Sequence, residues 1–100
     1  MKGTMILFQF PEKTDHNTIN KFMQKFYGQD STSGNGKYTY HRHGFLEDIP
    51  HRKLLRGVVI IRMEDKNKVT GFLMLYPLML HVREIELSQN DEMRLRETHE

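Results

Sequence analysis

The sequence contains no cysteine and no tryptophan. Without cysteine, disulfides and thiolate metal sites are excluded, and redox chemistry does not indicate a compartment. No apolar run approaches the length that spans a bilayer. The first apolar run, "MILFQF", is too short for a signal peptide and is followed at once by Pro11. We therefore expect a cytoplasmic protein with no membrane partner.

Length and composition are those of a small globular domain. The chain has 100 residues, of which 37% are hydrophobic and 28% charged, which is typical of a folded protein and not of a disordered one. We expect one domain over residues 1–88. Residues 89–100 form an acidic C-terminal tail, in which Ser88 and Asp91 suggest the cap of a short, polar, frayed helix.

Hydrophobic periodicity predicts two helices and four strands. Residues 19–26 and 69–76 each place apolar side chains at positions i, i+3, i+4 and i+7, and Gly28 and Pro77 end the two patterns. Strand-like runs cover residues 5–10, 37–44, 54–62 and 78–87. The order β-α-β-β-α-β predicts an α+β, ferredoxin-like sandwich with a four-stranded antiparallel sheet and a short polar C-terminal helix.

Within this fold, three finer expectations concern the middle of the chain. Residues 28–36, "GQDSTSGNG", consist of turn-forming residues and predict a flexible loop. Residues 45–53 predict a connection with a local apolar anchor at Phe45, Leu46 and Ile49. The segment "KYTYHRHG" (37–44) is then an edge strand, paired antiparallel with the segment "LLRGVVIIR" (54–62).

The two predicted central strands are apolar on both faces. Met5 and Leu7 oppose Ile6 and Phe8 along the first strand, and the third shows the same pattern. Two helices cover one face of a sheet, and monomers rarely expose a large contiguous apolar patch. Either the tail or a second copy covers the other face. Because the tail has few apolar residues, we favour a homodimer.

Charge is unevenly distributed along the chain. Residues 37–62 carry six basic residues against two acidic ones, whereas residues 84–100 carry two basic residues against six acidic ones. The basic part contains tyrosines that could stack on unpaired bases, and cations that could neutralise phosphates. The sequence therefore favours nucleic-acid binding, to single-stranded or structured RNA more than to duplex DNA. The predicted contacts are Lys37, Tyr38, Tyr40, Arg42, Arg52, Lys53 and Arg56.

Histidines in the same region offer two further kinds of site. His41 and His43 point to one face of a strand, and His51 could approach them. These three are the candidates for general acid and base in a metal-independent endoribonuclease. They are also the minority candidates for a metal site, with His81 or Asp48 as other possible ligands, although no adjacent carboxylate is evident to orient a ring.

Two classes of function remain beside nucleic-acid binding. One is the metal-independent endoribonuclease on the same surface. The other is a small homodimeric adaptor or regulatory protein with no role at nucleic acid, in which the tyrosines pack at an edge. The spacing of Gly36 and Lys37 does not fit a phosphate-binding loop, since Tyr38 stands where a hydroxyl side chain is needed. We expect no cofactor.

Overall fold

The computed structural model describes residues 1–34 and 36–97. It contains three α-helices and six β-strands in these ranges, with short 3₁₀ helices at Phe45–Asp48 and Met63–Asp65. The helices are α1 (His16–Tyr27), α2 (Lys66–Leu73) and α3 (Gln89–Glu97). The strands are β1 (Lys2–Gln9), β2 (Gln29–Ser33), β3 (Tyr38–Arg42), β4 (His51–Leu55), β5 (Val58–Arg62) and β6 (Met79–Glu86).

The chain divides into two compact units. The first, here called the hairpin unit, comprises residues 14–48 with α1, β2 and β3. The second, the sheet unit, comprises residues 1–13 together with the chain from residue 49 onward. It holds β1, β4, β5, β6, α2 and α3.

Helix α1 forms as its sequence predicts. Asp15 occupies the N-cap position, and Phe22 and Phe26 are buried on the predicted apolar stripe with their rings stacked at a centroid distance of 5.6 Å. The helix ends at Gly28, whose φ of 88° is readily adopted only by glycine and whose N–H donates to the carbonyl of Gln24. Phe26 also stacks on Phe45 of the 3₁₀ helix, which ties α1 to the end of the unit.

Residues 29–33 correct the prediction of a flexible loop. They form β2, which pairs antiparallel with β3 in a separate two-stranded sheet. "KYTYHRHG" is therefore a strand as predicted, but its predicted pairing with "LLRGVVIIR" is wrong. Its partner is the polar segment "QDSTS", whose backbone makes the ladder although its side chains offer no apolar pattern.

The sheet unit is built on a four-stranded antiparallel sheet in the order β4-β5-β1-β6. Strand β1 is central, and pairs with β5 on one side and β6 on the other. Opposed residues such as Ile6 and Val59 lie on one face and are fully buried. The coarse prediction of an α+β protein with a four-stranded antiparallel sheet is confirmed. The predicted C-terminal helix is present as α3, whereas the extra hairpin β2–β3 departs from the element order expected for a ferredoxin-like sandwich.

The predicted strand over residues 54–62 is in fact two strands joined by a tight turn. β4 begins at His51, inside the predicted connection, and β5 begins at Val58. Gly57 turns the chain with a φ of 90°, and a Cβ at this position would lie 2.7 Å from the carbonyl oxygen of Phe8. Only glycine fits both the conformation and this close approach.

Helix α3 covers part of the second face of the sheet. Leu95 is buried with Ile60 and Leu87, and Met5 and Ile85 pack against this cluster. The tail therefore supplies part of the apolar cover that was expected from a second copy. The homodimer stays a prediction, with less apolar surface on this face to support it.

The start of α3 carries two sets of polar contacts. Ser88 and Asp91 form a reciprocal cap, each backbone N–H donating to the other's side chain at 3.1 Å, which confirms the predicted cap. Asp91 also accepts a hydrogen bond from Arg52 of β4. One carboxylate thus starts the helix and attaches it to the sheet. No helix in the described residues is long and apolar enough to cross a membrane.

We expect Leu95→Ala to lower the free energy of unfolding by about 2–5 kcal/mol, because it removes buried methyl groups and leaves a cavity. Met93→Ala, on an exposed position of the same helix, is the matched control and should change it by less than about 1 kcal/mol. Urea denaturation of both variants measures the difference. Equal effects would show that α3 does not pack on the sheet as described.

A pH dependence should follow from Asp91. Burial alone would raise the pKa of Asp91, but hydrogen bonds from Ser88 and Arg52 outweigh it and lower the pKa. The bonds to the ionised form therefore stabilise the fold above the ordinary pKa of about 3.9, and the stabilisation is lost as the pH falls through the lowered value. Asp91→Asn should cost about 1–3 kcal/mol near neutral pH and progressively less in acid. A cost that is the same at all pH values would contradict this role.

Candidate functional site

The hairpin β2–β3 places the predicted site residues on two opposite faces. Asp30 lies opposite His41, and Gln29 lies opposite Arg42. Because side chains alternate along a strand, Thr39 and His41 share one face while Tyr38, Tyr40 and Arg42 share the other, as predicted. The face with Thr39 and His41 is called the histidine face, and the face with Tyr38, Tyr40 and Arg42 is called the tyrosine face.

His41 lies between two carboxylates on the histidine face. Its Nδ1 is 2.6 Å from Oδ1 of Asp30 on the neighbouring strand, and its Nε2 is 2.5 Å from Oε1 of Glu47. Both ring nitrogens can donate to these oxygens when the imidazole is doubly protonated. Asp30 reaches His41 because the hairpin register places them directly opposite each other.

His43 has the same kind of surroundings. Its Nδ1 lies 3.2 Å from the second oxygen of Glu47, and its Nε2 lies 2.9 Å from Oδ2 of Asp48. Glu47 therefore stands between the two histidines, one oxygen toward each ring. Asp30 and Asp48 stand at the far nitrogen of each ring.

The backbone holds Glu47 in this place. The N–H of Gly44 donates to Oε2 of Glu47 at 2.6 Å, at the start of the 3₁₀ helix. Gly44 itself packs against the end of α1, where an added Cβ would lie 2.1 Å from the nitrogen of Gly28. The chain can approach itself this closely only because residue 44 has no side chain.

These contacts change the protonation of the cluster. Hydrogen bonds to Asp30 and then Glu47 raise the pKa of His41, and the bond to Asp48 raises the pKa of His43. The Gly44 N–H, acting against burial, lowers the pKa of Glu47 with help from His41. The contacts favour charged imidazoles beside an ionised Glu47.

The tyrosine face adjoins a groove beside α1. Tyr38 and Tyr40 are 59% and 58% exposed, and Arg42 reaches Gln24 of α1 with a donor–acceptor distance of 3.4 Å. The groove has a volume of about 420 Å³. Its described lining combines three cations with three amides, Lys21, Lys25, Arg42, Asn17, Asn20 and Gln24.

The remaining predicted residues are divided between the units. Lys37 lies in the turn of the hairpin, whereas Arg52, Lys53 and Arg56 belong to the sheet unit, on β4 and its turn. Arg52 is half-buried and paired with Asp91. His51 also belongs to the sheet unit, and its Nδ1 lies 2.8 Å from the carbonyl oxygen of Ile49. The hairpin unit thus brings together two of the three candidate histidines.

Two parts of the site were not predicted from the sequence. They are the carboxylates beside the histidines and the side of the groove that α1 forms. The statement that no carboxylate stands beside His41 and His43 is wrong, because Asp30, Glu47 and Asp48 all do. The i,i+4 spacing of His43 and Glu47 was a usable signal. So was the polar face of α1, where Lys21 and Lys25 repeat at i,i+4.

Comparison with known proteins gives no match: no protein-family model, no curated protein and no solved structure is similar to the chain. The chemistry of the two hairpin faces is therefore the basis for assigning a function.

Gly44→Ala should destabilise the hairpin unit by about 1–3 kcal/mol, because the new methyl group overlaps the backbone of Gly28. Gly71→Ala is the control. A Cβ at Gly71, within α2, would meet nothing within 4 Å, so this change should stabilise the chain by about 0.5–1 kcal/mol. Chemical denaturation measures both. The same sign for the two changes would exclude the close approach at Gly44.

Proposed function

We propose that the chain binds nucleic acid, single-stranded or structured RNA in preference to duplex DNA, on the tyrosine face of the hairpin unit. One observation carries this proposal. Exposed Tyr38 and Tyr40 share a face with Arg42, which lines a cationic groove together with Lys21 and Lys25. Stacking surfaces and phosphate-binding cations thus occur side by side in one compact unit.

The groove suits a phosphate backbone. Three cations attract the charge, and the amide groups of Asn17 and Gln24 can donate to phosphate or sugar oxygens. Within the described residues, the Arg42 guanidinium donates a long hydrogen bond to the neutral side-chain amide of Gln24, and a phosphate could replace this partner without breaking an ion pair. These features support electrostatic, sequence-independent contact.

The tyrosines suit unpaired bases. Tyr38 and Tyr40 are each more than half exposed on a strand, and every base offers a face on which an aromatic ring can stack. In a duplex the bases are stacked on one another and unavailable, which is why RNA loops or single strands are the preferred ligand.

Binding without cleavage is favoured over the endoribonuclease alternative. In that alternative one imidazole acts in its neutral form as the base and another in its charged form as the acid. The carboxylates around His41 and His43 raise the pKa of both, so both are biased toward the acid form. The third candidate, His51, belongs to the sheet unit.

The basic residues of the sheet unit contribute less to the proposal than their sequence suggested. The acidic tail is far from Arg52 in sequence, yet Asp91 of α3 pairs with it. Arg62, also in the basic stretch, pairs with Asp65. Arg52, Lys53 and Arg56 stay proposed contacts, with Arg52 the weakest because binding a phosphate would compete with Asp91.

Three finer proposals accompany this one. They are a ferredoxin-like relationship of the sheet, a homodimer, and a cytoplasmic location. The homodimer would use the apolar surface of the sheet beyond the cover of Leu95, where Leu7 and Val58 are half-buried and Met79 is exposed. A dimer without affinity for RNA would favour the adaptor alternative.

The test is a salt titration of single-stranded RNA binding by the unmodified chain and by Lys21→Ala, Arg42→Ala and Tyr40→Ala. Each lost phosphate contact should flatten the slope of log affinity against log salt by about 0.7. Tyr40→Ala should weaken binding by about 1–3 kcal/mol with the slope unchanged. Fluorescence anisotropy measures affinity, and gel analysis shows whether the RNA stays intact.

Lys68→Ala, an exposed change on α2 of the sheet unit, is the matched control and should alter neither affinity nor slope. If Lys21→Ala and Arg42→Ala behave like this control, the groove does not bind RNA. Fragmented RNA, lost with His41→Ala, would instead establish the endoribonuclease alternative.

A further inference from the structure

We propose that His41, His43 and Glu47 on the histidine face form a binding site for a divalent transition-metal ion, with zinc as the best match. The site does not depend on the proposed RNA binding, which uses the opposite face of the hairpin. It also differs from the metal site considered from the sequence, since its third ligand is Glu47 and not His51.

The three ligands already converge. One ligand atom from each of His41, His43 and Glu47 lies within 4.8 Å of the others. A tetrahedral zinc ion with bonds of about 2.0–2.2 Å separates its ligand atoms by about 3.4 Å. The contacts of Glu47 Oε1 to His41 Nε2 and of Glu47 Oε2 to His43 Nδ1, at 2.5 Å and 3.2 Å, are within about 1 Å of this spacing. Ligand atoms at the 4.8 Å limit would have to approach each other by about 1.4 Å.

The far side of each ring carries the partner that metal-bound histidines usually have. When one imidazole nitrogen binds a metal, the other normally donates its hydrogen to a carboxylate or carbonyl oxygen. Asp30 is 2.6 Å from Nδ1 of His41, and Asp48 is 2.9 Å from Nε2 of His43. The Gly44 N–H orients Glu47 in the same way.

Electrostatics gives a second reason to expect a cation here. Three carboxylates surround two histidines on a solvent-exposed face, and exposed ion pairs of this kind add little stability by themselves. A divalent ion would replace the protons on the two inward nitrogens and offset the negative charge of the carboxylates. It would thereby link β3 to the 3₁₀ helix more firmly than hydrogen bonds to exposed groups can.

The donor set indicates which ion fits. Two imidazoles and one carboxylate suit zinc, and also iron(II) or cobalt(II), whereas calcium and magnesium prefer oxygen ligands alone. His41 and His43 are at least half exposed, so the remaining coordination positions of the ion would face solvent. Such a site is open to water or to an oxygen ligand, as sites with three protein ligands are.

The first test is calorimetric titration of the untagged chain with zinc chloride, after treatment with a chelator and dialysis. We expect binding of one zinc ion per chain. Glu47→Gln and His43→Ala should each weaken it by at least about tenfold, and Asp30→Asn, which alters only the outer partner, should weaken it by about 10–100-fold. His51→Ala and His16→Ala are the matched controls and should bind as the unmodified chain does.

The second test needs no substitution, so misfolded variants cannot obscure it. In the zinc-bound chain, His41 should coordinate through Nε2 and keep its hydrogen on Nδ1, and His43 should coordinate through Nδ1 and keep its hydrogen on Nε2. Long-range ¹H–¹⁵N correlation spectra of the imidazoles distinguish these two tautomers directly. Opposite tautomers at the two positions are the signature of this geometry.

Each experiment has a result that would overturn the proposed metal site. No zinc binding by the unmodified chain, unchanged binding by Glu47→Gln, or loss of binding in His51→Ala would each overturn the proposal. So would identical tautomers at His41 and His43 in the presence of zinc. Failure of RNA binding would leave these results unaffected, because the titration contains the metal alone.

Discussion

The Glu47 carboxylate is the group that joins the two histidines of the hairpin unit to the 3₁₀ helix. It accepts the Gly44 N–H and stands between His41 and His43, so it fixes the 3₁₀ helix against β3. The Gly44 N–H lowers the pKa of Glu47, so the carboxylate stays ionised to lower pH than an ordinary glutamate. Removing Glu47 would take away the carboxylate that both rings share.

The hairpin separates two kinds of chemistry by the simple alternation of a β-strand. Carboxylates and histidines lie on one face, and tyrosines with arginine lie on the other. An anionic ligand would therefore meet attraction on one side of a two-stranded sheet and repulsion on the other, which restricts how it can approach. The division into two faces was predicted, but the carboxylates that give the histidine face its opposite character were not.

Local signals predicted much of the fold. Helix α1, its end at Gly28 and the cap of α3 depend on neighbouring residues, and each formed where the pattern indicated. β2 was missed because its stability comes from backbone pairing with β3, which leaves no trace in the polar sequence "QDSTS". The turn at Gly57 was hidden within an apolar segment that looked like a single strand.

The sequence indicated which histidines belong to the candidate site, but not which side chains they contact. His41 and His43 were expected to share a face because alternation is a property of one strand. The carboxylates that contact these histidines are placed by the pairing register of β2 with β3 and by the turn in which Gly44 packs against Gly28. Neither feature can be read from the alternation of residues along one strand. The pairing of Arg52 with Asp91 was invisible for the same reason, since 39 residues separate the two.

The position of β1 in the middle of the sheet has a consequence for how the chain folds. Both of its neighbours, β5 and β6, come from the second half of the sequence. β1 therefore stays unpaired until the long loops to these two strands have closed. The β4–β5 hairpin closes over a two-residue turn and can form within microseconds, whereas closing the long loops to β1 is much slower. A chain newly released from denaturant therefore passes through a period in which "MILFQF" has two unpaired edges, and concentration during that period decides between folding and aggregation.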